Sequence, residues 1–442
     1  MKHPQNIFTF LLLLLSLGSF NCNATLYRER GKDYRAELRR VQNKLRANPG
    51  DEQALQEFGV LLFKTQQYTT AFKVLSKINE RTPQNGRTLF YLGMTLEALN
   101  KLDAAHKVYG NFSTVARSDE FRKLLQGRYH KLTRDLVRQD IRTLVEKEKR
   151  LVAQKGGAVG DMPVSSNTVA VFPLFYYGTD EKYAALGHGL SEMILIDLGK
   201  VSSLRVVERI RLEELLRELD LTRSNLFDKR TLPRYGRILG AGRFISGAYT
   251  VTGGKRLRLD ITSWDFVKQA FPAPRARQDV LRNLYYLQKD IVFELIEDLG
   301  VELTGVEREQ IQRIPTKNLQ ALLAFSRGLE LEEAGRFVAA ARLYQQAAKL
   351  DPDFELASQK AEAAESLSVA GSSRADAIAK ADEIERGGGD AKVDLLGNRL
   401  QTLGASVGSN FVPGQDNREI GELLETPIPD PPPPPPPAPD DQ

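Results

Sequence analysis

Few residues of this 442-residue chain combine the type and the spacing that chemistry requires. Gly187-His188-Gly189-Leu190 places two glycines at the entry of an expected helix, where backbone N–H groups can hold an anion. The segment matches neither a phosphate loop nor a dinucleotide fingerprint, so it reads first as a helix entry and second as a ligand-sensing loop. Glu208 and Arg209 stand at the end of an expected strand, a placement that suits an ion pair or a surface contact better than acid/base work. His106 and His130 have no carboxylate or Ser at triad spacing. The single Trp, Trp264, reads as core on a strand, and no Ser, Cys or Asp sits in a nucleophile motif. The expectation is a non-enzyme without cofactor or metal. One Cys permits no internal disulfide and no Cys-based cluster, and four His are few for a His-rich metal site. With 62 Lys or Arg against 57 Asp or Glu, the net charge of +5 argues against nucleic acid as the partner.

The lone Cys takes its meaning from what precedes it. Residues 1–22 carry a short polar start with Lys2, an apolar run from Ile7 through Leu17, and then Gly18 and Ser19. This is the layout of an export signal, and the run is short for a membrane span. Ser19-Phe20-Asn21-Cys22 resembles a relaxed bacterial lipoprotein signal, although the usual Leu and the small residue before the Cys are replaced. The resemblance implies lipidation at Cys22 and a membrane contact through that anchor. An ordinary secreted protein cleaved nearby, for instance after Ala24, is the alternative. An unpaired thiol is a liability in an oxidising compartment, which favours acylation.

From Asn48 the chain repeats with a period of 34: Leu55, Gly59, Leu62, Ala71 and Leu75 recur as Leu89, Gly93, Leu96, Ala105 and Tyr109. Tyr68 and Leu102 match, and Pro83 closes the first unit. The pattern resembles the tetratricopeptide repeat, whose small residues let two antiparallel helices approach closely. A third unit fits weakly through Gly127, and residues 120–152 read as one long charged helix. Residues 23–153 are thus expected to form a repeat-type helical domain, serving as a partner-binding surface or as a spacer. A second block, 317–367, repeats the signature with Gly328, Phe337 and Ala340 and closes with a capping helix that runs to about Leu367.

Between them, a Gly-rich linker at 154–165 reads as a domain boundary. Thr168 to Leu174 and Leu204 to Glu208 read as strands, and Leu186–Val201, Arg211–Leu219 and Thr231–Leu239 as helices. Phe244–Val251 and Arg256–Phe266 form a hairpin around Gly253-Gly254, and a last helix is expected from about Asp279 to Leu299. Gly189-Leu190-Ser191-Glu192-Met193, Leu204 to Arg209, Leu212 to Leu216 and Gly240 to Gly247 resemble the CsgG-type and TolB-N-terminal-like envelope domains over residues 166–305. The resemblance implies a periplasm-facing domain tied to the outer membrane and to assembly or export of other proteins, with homo-oligomers allowed. Secretion channels of that type add long amphipathic hairpins. Here the turn is tight and Pro272 and Pro274 follow the second strand, leaving no room for a pore-forming pair.

The expected fold class is α+β multidomain, with tetratricopeptide-like helical repeats flanking a central α/β CsgG-like domain. A disordered, Pro-rich tail is expected over 368–442; ten of the 21 prolines fall in Pro427–Gln442. The expected function is a periplasmic, outer-membrane-associated lipoprotein that binds other envelope proteins through its repeats as a scaffold or accessory factor. A pore-forming secretion subunit and a ligand-sensing domain are the alternatives.

Overall fold

The computed structural model describes residues 34–154, 164–219, 232–268, 274–371 and 373–386. They divide into two compact units, one holding the described residues up to Thr133 and from Ser366 onward, the other Arg134 to Glu365.

The first unit is helical: α1 (Tyr34–Ala47), α2 (Glu52–Lys64), α3 (Tyr68–Arg81), α4 (Gly86–Ala98), α5 (Leu102–Gly110) and the first part of α6 (Arg122–Gln154). Asp51 and Asn85 start α2 and α4 by accepting a hydrogen bond from the amide three residues on, Ala54 and Thr88. The pairs close tightly because glycine faces a large side chain. A Cβ on Gly59 would lie 2.7 Å from Leu75 Cδ2, and one on Gly93 2.2 Å from Tyr109 Cε1.

The second unit is an α/β layer structure with a helix pair attached. Its strands are β1 (Ser165–Val171), β2 (Phe175–Tyr176), β3 (Arg205–Val206), β4 (Ala241–Thr252), β5 (Arg256–Asp265) and β6 (Arg275–Val280). They form one mixed sheet in the order β3-β1-β4-β5-β6, with β2 also parallel to β4. The β1 pairings to β3 and β4 are parallel; β4-β5 and β5-β6 are antiparallel. Gly253 and Gly254, with φ of +59° and +66°, make the β4-β5 turn, where a Cβ would be strained. Side chains alternate between two cores. Val169, Val171, Ile245, Leu257, Leu259 and Ile261 face one, built with α7 (Leu186–Leu198) and α10 (Leu284–Asp298). Ala170, Phe172 and Phe244 face the other, built with α8 (Arg209–Glu218), α9 (Leu232–Leu239) and the later residues of α6, Ile141 and Val145. The helices α11 (Gly305–Gln312), α12 (Leu319–Glu333), α13 (Phe337–Leu350) and α14 (Glu355–Val369) follow.

Helix-rich flanks and a central α/β region are thus present, and three expectations change. The compact units do not part at the 154–165 linker, because Ile141 and Val145, fully buried, pack with Phe172, Leu212 and Leu215. The expected helix from Asp279 begins only at Leu284; Arg275–Val280 is a strand paired to β5, and its mostly exposed, polar residues offered no apolar alternation to read. The chain does not loosen at Ser368. α15 (Arg374–Glu385) starts at a reciprocal cap between Ser373 and Asp376 and belongs to the first unit. There Lys64 Nζ lies 2.5 Å from Asp382 and 2.9 Å from Glu385, and Arg87 pairs with Glu385 at 2.7 Å. Burial works against the Lys64 charge, but Glu385 and Asp382 outweigh it and hold the ammonium above its ordinary value.

Candidate functional site

Arg209 opens α8 immediately after the expected strand end, and its guanidinium is the hub of a charge cluster within the second unit. Nε meets Glu213 at 2.7 Å, Nη2 meets Glu333 at 2.7 Å and Nη1 meets Glu192 at 3.4 Å. Nη2 also donates to the Leu329 carbonyl at 3.1 Å. Glu192 comes from α7, Glu213 from α8 itself, and Glu333 and Leu329 from α12. Next to it, Glu332 receives Arg134 at 2.7 Å, Lys360 at 3.3 Å and the Tyr344 hydroxyl at 2.6 Å. His188 Nδ1 lies 3.0 Å from Glu333.

The electrostatics follow from burial and charge count. Burial would raise Glu332, yet Lys360, Arg209, Arg134 and the Tyr344 hydroxyl outweigh it and hold the carboxyl at about 2. Glu333 is lowered in the same way, burial being overcome by His188 and Arg209. Glu213 goes the other way: burial pushes it up, and Arg209 is shared with Glu333 and Glu192. Burial opposes the Arg209 charge, and the surrounding carboxylates more than restore it. Every acid in the cluster has a cation against it. Such a network fixes the orientation of α7, α8 and α12 to one another, because removing either sign leaves an unpaired buried charge.

The glycine loop is built for the same docking. The Gly187 amide donates to the Tyr249 hydroxyl at 2.8 Å, and a Cβ there would lie 2.1 Å from the Leu174 carbonyl oxygen. A Cβ on Gly189 would lie 2.1 Å from Ser326 Oγ of α12. The loop therefore uses its smallness to seat β4 and α12, and the amide at Gly187 is committed to Tyr249.

Of the other residues singled out, Glu208 is exposed at the start of α8 and makes no side-chain cap. His106 reaches Thr133 at 2.8 Å and stacks on Tyr129, and His130 packs edge-on to the same ring. Trp264 is half-buried on β5 against the α6-α8-α9 core. Cys22 lies outside the described residues, as does the Pro-rich segment. The repeat residues are brought together in pairs within each unit. In the first, Ala71 and Ala105 are fully buried and Tyr68 packs its ring 5.7 Å from Phe63. In the second, Ala340 is fully buried, a Cβ on Gly328 would lie 2.6 Å from Tyr344 Cε1, and Phe337 lies under the Arg134 guanidinium.

The side chains missed in the sequence belong to these pairs. Glu97 follows Gly93 by four residues and Tyr109 follows it by sixteen; Glu332 and Tyr344 stand at the same offsets from Gly328. In each pair the tyrosine hydroxyl, packed on the glycine, donates to that glutamate, at 2.8 and 2.6 Å. An arginine of α6 then binds the carboxylate: Arg128 with Glu97 at 2.6 Å, Arg134 with Glu332 at 2.7 Å. The shared Gly, Glu and Tyr spacing was the available signal. The backbone repeats too. Seven residues beyond each glycine, Gln66, Asn100 and Gly335 have φ of 63°, 56° and 74°, making the tight turn between the paired helices.

Residues 149–252, about a quarter of the chain, match the family model described as the curli production assembly/transport component CsgG. The matched segment runs from the end of α6 through β4 and includes the Gly187 loop, Glu192, Arg209 and Glu213. No curated protein and no solved structure was found to match the chain. Among the described residues, no helix is long and apolar enough to cross a membrane, and no group of three His, Cys, Asp or Glu is placed to hold a metal ion.

Proposed function

We propose that the chain is a non-enzymatic, envelope-associated accessory factor in curli-type secretion or the assembly of surface components. In this reading it faces the periplasm, is anchored to the outer membrane through an acylated Cys22, and binds other envelope proteins through tetratricopeptide-type helix pairs. One observation carries it. Arg209 and Glu213, inside the CsgG-like segment, form part of the same charge cluster as Glu332 and Glu333, which end the first helix of the α12-α13 pair. The α12-α13 helix pair is thereby held to the CsgG-like segment within one compact unit, which supports reading the pair as the part that presents a surface to partners.

The pore-subunit alternative needs a hairpin free to enter a bilayer. The β4 strand, with twelve residues, is long enough for a span, but it is paired on both sides and mostly buried in the two cores. This favours the scaffold. The test uses the full-length chain: envelope fractionation of cells producing it, and conductance and negative-stain microscopy of the purified protein in lipid bilayers. Envelope localisation without conductance is expected. Native protein in the cytoplasm, or ring-shaped particles with ion conductance, would overturn the proposal.

A further inference from the structure

The charge of this chain is unevenly placed. Residues 28–46 hold eight Lys or Arg against three Asp or Glu, a net +5 equal to that of all 442 residues, so the rest of the chain sums to zero. Most of this segment is α1. Its apolar side chains Tyr34, Leu38 and Leu45 are buried, whereas Arg35, Arg39, Arg40, Lys44 and Arg46 are exposed. At about 100° per residue, Arg35, Arg39 and Arg46 fall within roughly 40° of one another on one side of the outward face, with Arg40 and Lys44 on its other side. Lys44 pairs with Asp51 at 2.9 Å, and Glu37 is the one acid on the helix.

We propose that the outward face of α1 docks on anionic phospholipid headgroups. Charge complementarity selects this occupant, and so does the position of the helix in the chain. Tyr34 follows Cys22 by twelve residues, a reach of at most about 40 Å. The helix therefore stays close to any membrane that holds an acyl group at Cys22. Acyl anchors commonly need a second signal, and a cluster of basic residues supplies one. The attraction is short-ranged, acting over about 10 Å at moderate salt, so the patch must lie on the surface that meets the membrane. The positional part of this argument rests on the acylated Cys22 of the function proposed above, whereas the charge of the helix face stands apart from it and is what the vesicle comparison reads.

The test is co-sedimentation of the full-length chain with vesicles of phosphatidylcholine alone or with phosphatidylglycerol as roughly one lipid in three. The apolar run 7–17 and Cys22 contribute equally to both vesicle types, so the difference isolates charge. The wild-type chain is expected to prefer the anionic vesicles and to lose that preference as salt rises from about 50 to about 300 mM. Arg35→Gln, Arg39→Gln and Arg46→Gln together should lower the anionic partition about 100-fold, near fivefold for each cation. A control chain with Lys73→Gln, Lys107→Gln and Arg117→Gln removes the same charge from exposed positions elsewhere in the unit and should retain the preference. Equal binding of the wild type to both vesicle types, an equal loss in the control, or tighter binding to duplex DNA at the same salt would overturn the proposal.

Discussion

Glu332→Gln is expected to destabilise the second unit by about 3 kcal/mol at neutral pH. The carboxylate faces Arg134 at 2.7 Å and Lys360 at 3.3 Å, and its side chain is only 13% exposed. Gln is isosteric and still offers the Tyr344 hydroxyl an acceptor, so the change removes charge and little else. Two routes give the size. A carboxyl held at about 2 in place of its ordinary 4.5 corresponds to about 3 kcal/mol, at roughly 1.4 kcal/mol per tenfold change in proton affinity. Breaking a buried ion pair by deleting one partner costs about 3–5 kcal/mol, because the remaining cations stay buried. The sign of the pH dependence follows from linkage: the folded value is depressed, so the contribution is complete above the unfolded value near 4.5 and is lost as pH falls toward 2. At about pH 3.5 the wild type has given up about 1.4 kcal/mol of it, and the gap to the variant narrows by that amount. Trp264, the one tryptophan, lies on β5 of this same unit, so urea unfolding followed by its fluorescence reads the unit directly. A gap under about 1 kcal/mol at neutral pH, or one that does not change on acidification, would refute the charge argument.

Gly93→Ala should cost the first unit about 2–3 kcal/mol, because a Cβ 2.2 Å from Tyr109 Cε1 must displace a fully buried ring and with it the hydroxyl bond to Glu97. A urea midpoint by circular dichroism equal to that of the wild type would contradict this. Gln66→Gly is expected to stabilise the same unit by about 0.5–1 kcal/mol, since Gln66 holds a φ of 63° that a side chain disfavours and that Gly335 supplies freely at the matching position of the α12-α13 pair. A rise of a few degrees in melting temperature, on the order of 2–4 °C per kcal/mol, is the expected readout. An unchanged or lower melting temperature would mean that the turn is not strained.

What could be read from the sequence is what local physics writes into neighbouring residues. Gly59, Gly93 and Gly328 recur because close helix contacts exclude a Cβ, and Gly253-Gly254 marks the hairpin because two positive φ values are needed there. The strand β6 carries no such mark: its outer edge is charged, Arg275 and Arg277 reach Glu294 of α10, and pairing with β5 alone makes it a strand. α15 is invisible for a related reason, since its worth to the fold lies in Asp382 and Glu385 neutralising Lys64 and Arg87, roughly 300 residues away in the chain. The Arg209 cluster lies between these cases. Its position beside Glu208 suggested an ion pair, but the partners come from α7, α8 and α12 and could be found only by folding the chain. The Gly, Glu and Tyr spacing shared by the α4-α5 and α12-α13 pairs shows how such a network leaves a trace when it is repeated. In both, a packing constraint fixes the tyrosine on the glycine, the tyrosine fixes the glutamate, and the glutamate demands an arginine from α6. The sequence records the first two steps at constant offsets, and only the last requires the tertiary fold.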